Sequence, residues 1–265
     1  MGVNGTSDTS GTSDTSLPKN TPVDTPGDTP VDTPGTEVLS ARIDSTVPIT
    51  RIALDETSWV DVGRGWIADA DQVFTHLRDT VSWRTTQLFR YEKQVEEKRL
   101  SASWNRGRPL PHPVLADATR WLQRRYNVEF AGFSIIQYRD GSDGQGFHRD
   151  TDMRWLDDTI IAVLTFGATR PWMLRPRTNR FVDATHSGLP TQASTHDLQP
   201  ANGDLLVMGG RCQADWEHSV PYHRAARVEP RISLQWRFAR KTGEPFMGPS
   251  FRADVRYGHG KVATH

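Results

Sequence analysis

Apolar residues are scarce and unpatterned from residue 6 to residue 36, where Thr, Asp, Pro and Gly dominate. TSDTSG at Thr6–Gly11 returns as TSDTS at Thr12–Ser16, and TPVDTPGD at Thr21–Asp28 returns as TPVDTPG at Thr29–Gly35. With almost nothing to bury, the entropy of ordering has no offset, so residues 1–40 are expected to form a disordered, acidic tail. The repeated units are too short and too polar to stack as a folding repeat. Helical spacing begins after residue 69. Val73, Phe74, Leu77 and Val81 fall on one face of a helix that Asp69 or Asp71 can cap. Val114, Ala118, Trp121 and Leu122 define the apolar face of a second helix starting near Pro113.

The texture changes after Asn127. Phe133–Tyr138 (FSIIQY) is β-rich and stops at the turn Arg139-Asp140-Gly141. Thr159–Phe166 (TIIAVLTF) has the continuous apolar run of a buried strand, and Pro171–Leu174, Asp204–Met208 and Arg231–Phe238 follow. Residues 176–203 are polar and are expected to be a mobile loop. Helices first and then six or more strands predict a mainly β domain with flanking helices (α+β), a sandwich or jelly roll. The domain is expected over residues 41–240, with a C-terminal extension at 241–265.

Composition narrows the setting. The 265 residues are 35% apolar and carry 32 basic and 32 acidic side chains. Residues 1–50 hold seven acids and two bases, so the remainder is net basic by five. That permits a polyanionic partner without requiring one. Cys212 is the single cysteine, which excludes an internal disulfide and a cysteine-based zinc or iron–sulfur site. No apolar run reaches membrane-spanning length, and the N-terminus lacks a basic start and an apolar core of a secretory signal. A soluble protein in a reducing cytoplasm is the expectation.

His148-Arg149-Asp150 is an H-x-D. On a strand its imidazole and carboxylate face one side and can share an ion. The plainer alternative is a surface hydrogen bond between the two. His218, in WEHSVP after the strand Asp204–Met208, would complete two histidines and a carboxylate, the facial triad of non-haem iron(II). His186, His196 and His223 compete for that third place, but a ligand on a mobile loop is less preorganised than one at a strand end. Along Arg231–Phe238, Arg231, Ser233, Gln235 and Arg237 share one face and Ile232, Leu234, Trp236 and Phe238 the other. The polar face is either a half-exposed strand in water or the wall of a barrel that grips a carboxylate bidentately. Arg99, Arg106 and Arg108 surround Trp104 in KRLSASWNRGRPLP, a composition that suits phosphate contacts and base stacking about as well as it suits a solvated loop whose Trp104 tucks into the core. Cys212 reads as a small buried residue.

The order Y-R-D-G, H-R-D-T-D, buried strand, G-D-L-L-V-M, H-S-V-P and R-x-S-x-Q-x-R resembles the AlkB family of iron(II)/2-oxoglutarate dioxygenases over residues 97–238. The resemblance implies a double-stranded β-helix with His148, Asp150 and His218 as catalytic iron ligands. It implies that Arg231 salt-bridges the distal carboxylate of 2-oxoglutarate, that Arg237 lies near the metal-bound end, and that Tyr138 hydrogen-bonds the cosubstrate. Ser233 shares that cofactor-binding face. Asp152 matches an acidic residue near the target base, and Trp104 with Arg99 falls in a nucleotide-recognition region. The implied activity is oxidative demethylation of alkylated bases in DNA or RNA, an alkylation-damage repair reaction using Fe(II), 2-oxoglutarate and dioxygen. The expected partner is alkylated nucleic acid, with no membrane and a monomeric enzyme. The same chemistry on a protein side chain or small metabolite is the alternative, and a non-catalytic binding module is a third. Two positions depart from the family pattern. Ile136 stands where Asn is usual, removing one cosubstrate contact, and Ser233 and Gln235 replace Asn and Thr while keeping hydrogen-bonding capacity.

Overall fold

The computed structural model describes residues 40–90, 93–150, 153–177, 194–223, 227–246, 255–257 and 261–263. The low-complexity tail, Asp152, His186 and most of the polar insertion therefore lie outside the described residues. The chain runs β1 (Arg42–Ile43), β2 (Thr50–Ala53), β3 (Ser58–Gly63), β4 (Ile67–Ala68), α1 (Ala70–Thr80), β5 (Arg84–Arg90), β6 (Lys93–Asn105) and α2 (Val114–Tyr126). It continues with β7 (Gly132–Tyr138), β8 (Gln145–His148), β9 (Thr159–Gly167), β10 (Met173–Pro176), β11 (His196–Asp197), β12 (Leu205–Gly210) and α3 (Cys212–Asp215). Strands β13 (Trp216–Val220), β14 (Arg231–Ala239), β15 (Val255–Tyr257) and β16 (Lys261–Ala263) complete it.

Ten strands form one sheet in the order β16-β15-β5-β6-β7-β14-β9-β12-β3-β2, and four form a second in the order β11-β10-β13-β8. The pairings β10–β13, β9–β12, β7–β14 and β9–β14 are antiparallel, as short connections between strands allow. One apolar cluster lies between the sheets and joins Ile136, Ile161, Val163, Leu206 and Met208 of the large sheet to Leu174, Trp216 and Val220 of the small one. A second cluster covers the opposite face of the large sheet, where Val73 and Leu77 of α1 and Leu115, Ala118 and Leu122 of α2 meet Leu164, Ile232, Leu234 and Trp236. Mainly β architecture with helices on one face of a double-stranded β-helix is as expected.

The two helices match their predicted faces, but not the predicted cap. Asp69 sits at the N-cap position of α1 with φ 57° and makes no side-chain cap bond. Its carboxylate instead accepts from Ser40 and Arg42, tying the start of β1 and the residue two before it to the helix start. Val81 is the residue after the helix rather than within it.

Strands do not wait for the helices to finish. β2, β3, β5 and β6 all precede α2, and the segment Lys98–Pro111, for which a solvated loop was one reading, begins as the end of β6. Its sequence is rich in charge and poor in alternation, so tertiary pairing with β7 settles the strand where local pattern does not. The polar insertion likewise contributes β11, which pairs with β10 at Met173↔Asp197 and Leu174↔His196. Within residues 241–265, β15 pairs antiparallel with β5. Among the described residues no helix is long and apolar enough to cross a membrane.

Candidate active site

The metal-ligand candidates come from the small sheet and its edges. His148 ends β8 and His218 lies in β13, paired directly across from it. Antiparallel partners share a face, so both imidazoles enter the space between the sheets, with ring centroids 4.3 Å apart. Asp150 is beyond the strand end, so simple strand alternation does not place it. It is held from the large sheet, where Arg237 Nε donates to Oδ2 at 2.9 Å and Nη2 to Oδ1 at 3.4 Å. Arg237 Nη1 also donates to Ser134 at 2.8 Å, and Nη2 bonds Gln235. Asp150 Oδ1 is 3.9 Å from His148 Nε2, and one ligand atom from each of the three residues lies within 4.8 Å of the others.

Protonation favours a cation. His148 Nδ1–H donates to Gly146 O at 2.8 Å, since a carbonyl can only accept, and this leaves Nε2 with its lone pair toward the cluster. Burial, with His218 adding to it, pushes His148 down to about 3, so it is neutral at pH 7. Burial likewise lowers His218. For Asp150 burial acts the other way, toward a raised value. Arg237 and the two histidines outweigh it and hold the carboxyl well below the usual range. Two neutral imidazoles and one carboxylate are the donor set of a facial iron(II) site. Trp172 stacks on His218 at 5.5 Å with an interplanar angle of 18°, fixing the plane of that ring.

The large sheet supplies the anion site. In β14 the polar face points at the metal-ligand cluster, because Ile232, Leu234 and Trp236 are fully buried on the helix side. Arg231 is completely buried and opposite Tyr138 of β7. Its Nε donates to Ser233 Oγ at 3.1 Å and its Nη2 to Thr165 Oγ1 at 3.3 Å, while Nη1 has no hydrogen-bond partner among the described residues. A buried guanidinium with one orphaned donor fits a ligand carboxylate. Burial lowers its pKa to about 10, and it remains charged at pH 7. Ser233 accepts from the arginine, and its hydroxyl proton remains available as a donor on the same face. Ile136, opposite Ser233, is apolar and buried between the sheets.

Two residues of this region carried no recognisable sequence signal. Arg170 is 2% exposed and donates to the carbonyls of Asp140, Asp143 and Pro221, fastening the turn after Tyr138 to the segment after β13. Its guanidinium also lies 5.3 Å from the Tyr138 ring. Gln213 of α3 accepts from the Asp150 backbone N–H at 2.8 Å.

The substrate residues fare differently. Trp104 is corrected: it is 6% exposed, stacks on Phe133 at 5.6 Å, and donates Nε1–H to Pro109 O. It belongs to the helix-side cluster, across the sheet from the metal ligands, so its ring has no face for a base there. Arg99 does reach the site, but Glu97 takes its charge at 3.1 Å and Nη1 lies 3.5 Å from Tyr138 Oη. Arg106 pairs with exposed Glu129, and Arg108 lies over Trp104. His196 is in β11 near Trp216, and His223 donates its backbone N–H to Gly141. Neither belongs to the metal-ligand cluster found among the described residues. Cys212 is buried, as expected, and burial pushes its thiol up to about 12, so it is protonated at pH 7.

This fold with a two-histidine, one-carboxylate cluster facing a buried arginine defines an oxygenase-type site. The family model for the 2OG-Fe(II) oxygenase superfamily matches residues 67–237, and the chain belongs to that superfamily. Within it, the AlkB-type resemblance is borne out. Alpha-ketoglutarate-dependent dioxygenase alkB homolog 3 of Bos taurus is 29% identical over 182 residues, covering 64% of this chain and 62% of that protein. The Homo sapiens protein of that name is 28% identical with the same coverage. DNA oxidative demethylase ALKBH2 of Mus musculus is 26% identical over 185 residues, covering 64% of this chain and 75% of that protein. The match thus spans less than two thirds of the alkB homolog 3 relatives. A solved Pseudomonas putida prolyl-4-hydroxylase aligns at TM-score 0.37 and 18% identity over 54% of this chain and 69% of its own, too loosely to carry an argument.

Proposed function

We propose that this chain is an iron(II)- and 2-oxoglutarate-dependent dioxygenase that removes alkyl groups oxidatively from nucleobases of DNA or RNA. The observation that carries the reading is the confrontation, inside one barrel, of the His148–Asp150–His218 cluster with the orphaned Nη1 of Arg231. Similarity to a protein named as a DNA oxidative demethylase supports the substrate class.

His148, Asp150 and His218 would hold the ion and leave open positions for cosubstrate and oxygen. Arg231 would take the far carboxylate, its fork already aimed by Ser233 and Thr165. Tyr138 Oη, beside Arg99, offers a hydrogen bond to the same cosubstrate. Arg237 keeps Asp150 ionised and oriented, and so protects the charge balance of the site. When bound, the iron with 2-oxoglutarate and dioxygen supplies the oxidising power for hydroxylating an N-linked alkyl carbon, while the protein orients the reactants. A base within a duplex must be turned out of the stack to reach it. Asp152, two residues after Asp150, is the proposed contact for the exocyclic amine or positive charge of an alkylated base.

The test is incubation of the protein with iron(II), 2-oxoglutarate and oligonucleotides carrying defined methylated bases, followed by mass spectrometry. Loss of one methyl group with formation of succinate is the expected result. Turnover on methylated peptides or small metabolites alone would replace the nucleic-acid reading. Nucleic-acid binding without succinate would make the chain a binding module.

A further inference from the structure

We propose that Gln213 is a positioning residue that locks Asp150 to the segment carrying His218, and thereby sets metal affinity. The inference rests on the metal reading of the three-residue cluster and is independent of which substrate is oxidised.

The need for such a lock follows from where β8 stops. His148 is its last residue and is paired with His218 across the small sheet. Asp150 lies past that end, where sheet hydrogen bonds no longer fix the backbone. Its side chain is anchored by Arg237, but two bonds to a carboxylate leave the main chain able to pivot about it. The backbone N–H of Asp150 is bound by the side chain of Gln213, at 2.8 Å and fully inside the protein.

The position of Gln213 makes that bond informative. It belongs to α3, which runs directly into β13 and so into His218, five residues later. One amide therefore ties the segment of the second ligand to the segment of the third. The chain reaches this geometry through Gly210, at φ 67°, where an added Cβ would lie 1.9 Å from Thr57 O. Gln213 is 1% exposed, and its Nε2 has no hydrogen-bond partner among the described residues. A buried amide with an unpartnered donor costs stability. Leucine at this place would fill the same volume without that cost. The glutamine is accounted for by what its oxygen does, which is to hold a metal-ligand backbone in place. Outer-shell groups of this kind change metal affinity by about 10–100-fold when removed.

The experiment compares wild-type protein with Gln213→Leu and Gln213→Glu. Leucine keeps the volume and removes the acceptor, whereas glutamate keeps an oxygen that can accept from Asp150 N–H. Metal-free protein is titrated with cobalt(II) alone and followed by its d–d absorption, with His148→Ala as the control for the site itself. Gln213→Leu is expected to bind about 10–100-fold more weakly with altered band intensities. Gln213→Glu is expected to stay within a few-fold of wild type or tighter. Wild-type affinity and spectrum in Gln213→Leu would overturn the proposal, as would equal weakening in both variants. Should Gln213→Leu not fold, Gln213→Glu decides alone, and a tenfold or greater loss in it counts against the role. Absence of cobalt binding in wild type would instead overturn the metal reading of the cluster.

Discussion

Single side chains at this site are judged by what they hold. Replacing His148, Asp150 or His218 by Ala removes one of three ligands and should abolish iron binding and turnover, whereas His223→Ala should leave both nearly intact. Calorimetric titration with iron(II) under anaerobic conditions separates them. Arg231→Lys should raise the 2-oxoglutarate requirement by about 1–3 kcal/mol, because an ammonium cannot use Ser233, Thr165 and a carboxylate at once. An unchanged dependence of succinate formation on 2-oxoglutarate would contradict that role. Asp152→Ala should impair discrimination among methylated bases more than it impairs substrate-uncoupled turnover, measured as a ratio of rates on paired oligonucleotides. The members of the candidate metal cluster and both arginines of β14 could be singled out in the sequence because that chemistry needs fixed residue types at fixed spacing. Arg170 and Gln213 were not, since their partners are backbone atoms from distant segments, and backbone atoms leave no signature in side-chain identity. Trp104 was misread for a related reason: an aromatic ringed by arginines looks the same whether its open face meets solvent or Phe133.

At the scale of elements, the start of α2 gives a pH dependence. His112 is buried, its Nδ1 accepts the Val114 N–H at 3.2 Å, and its Nε2 has no partner among the described residues. Burial lowers its pKa from 6.5, and nearby His76, 5.4 Å away, adds to the effect. The folded state thus favours neutral His112. Its contribution is present above the unfolded value and is lost as pH falls from there through the lowered folded value. Thermal melts from pH 7.5 to 5 should show a shallower loss of stability in His112→Asn than in wild type. An equal slope would remove His112 from the account. On β14, Leu234→Ala should cost about 2–5 kcal/mol of stability while leaving iron affinity of the folded protein unchanged, because Leu234 lies fully buried on the helix side. Denaturant unfolding and metal titration test the two halves of that statement. Strands β7, β9 and β14 announced themselves by apolar runs or strict alternation. β5 and β6 did not, because their stretches of charge resemble a solvated loop until β7 supplies the neighbour.

For the molecule as a whole, charge is distributed unevenly along the chain. Removing residues 1–36 takes away five acids and one base. The truncated protein should bind oligonucleotides slightly more tightly at low salt, with the gain shrinking as salt rises. Its melting temperature should match that of the full chain, and a clear drop in differential scanning calorimetry would show that the tail contributes to the fold. The large sheet, meanwhile, is a partition with chemistry on one side and helix packing on the other. Odd and even positions of β14 therefore answer to different masters, and the parity of that strand is as binding as its residue identities. A one-residue insertion or deletion before Arg231 that slipped β14 between β7 and β9 would turn Ile232 toward the His148–Asp150–His218 cluster and drive Arg231 into the helix-side core. A two-residue slip would restore parity, yet would carry the guanidinium about 7 Å along the barrel. A length change is thus expected to be tolerated in the connections and not within this strand, which can change by substitution but not by count.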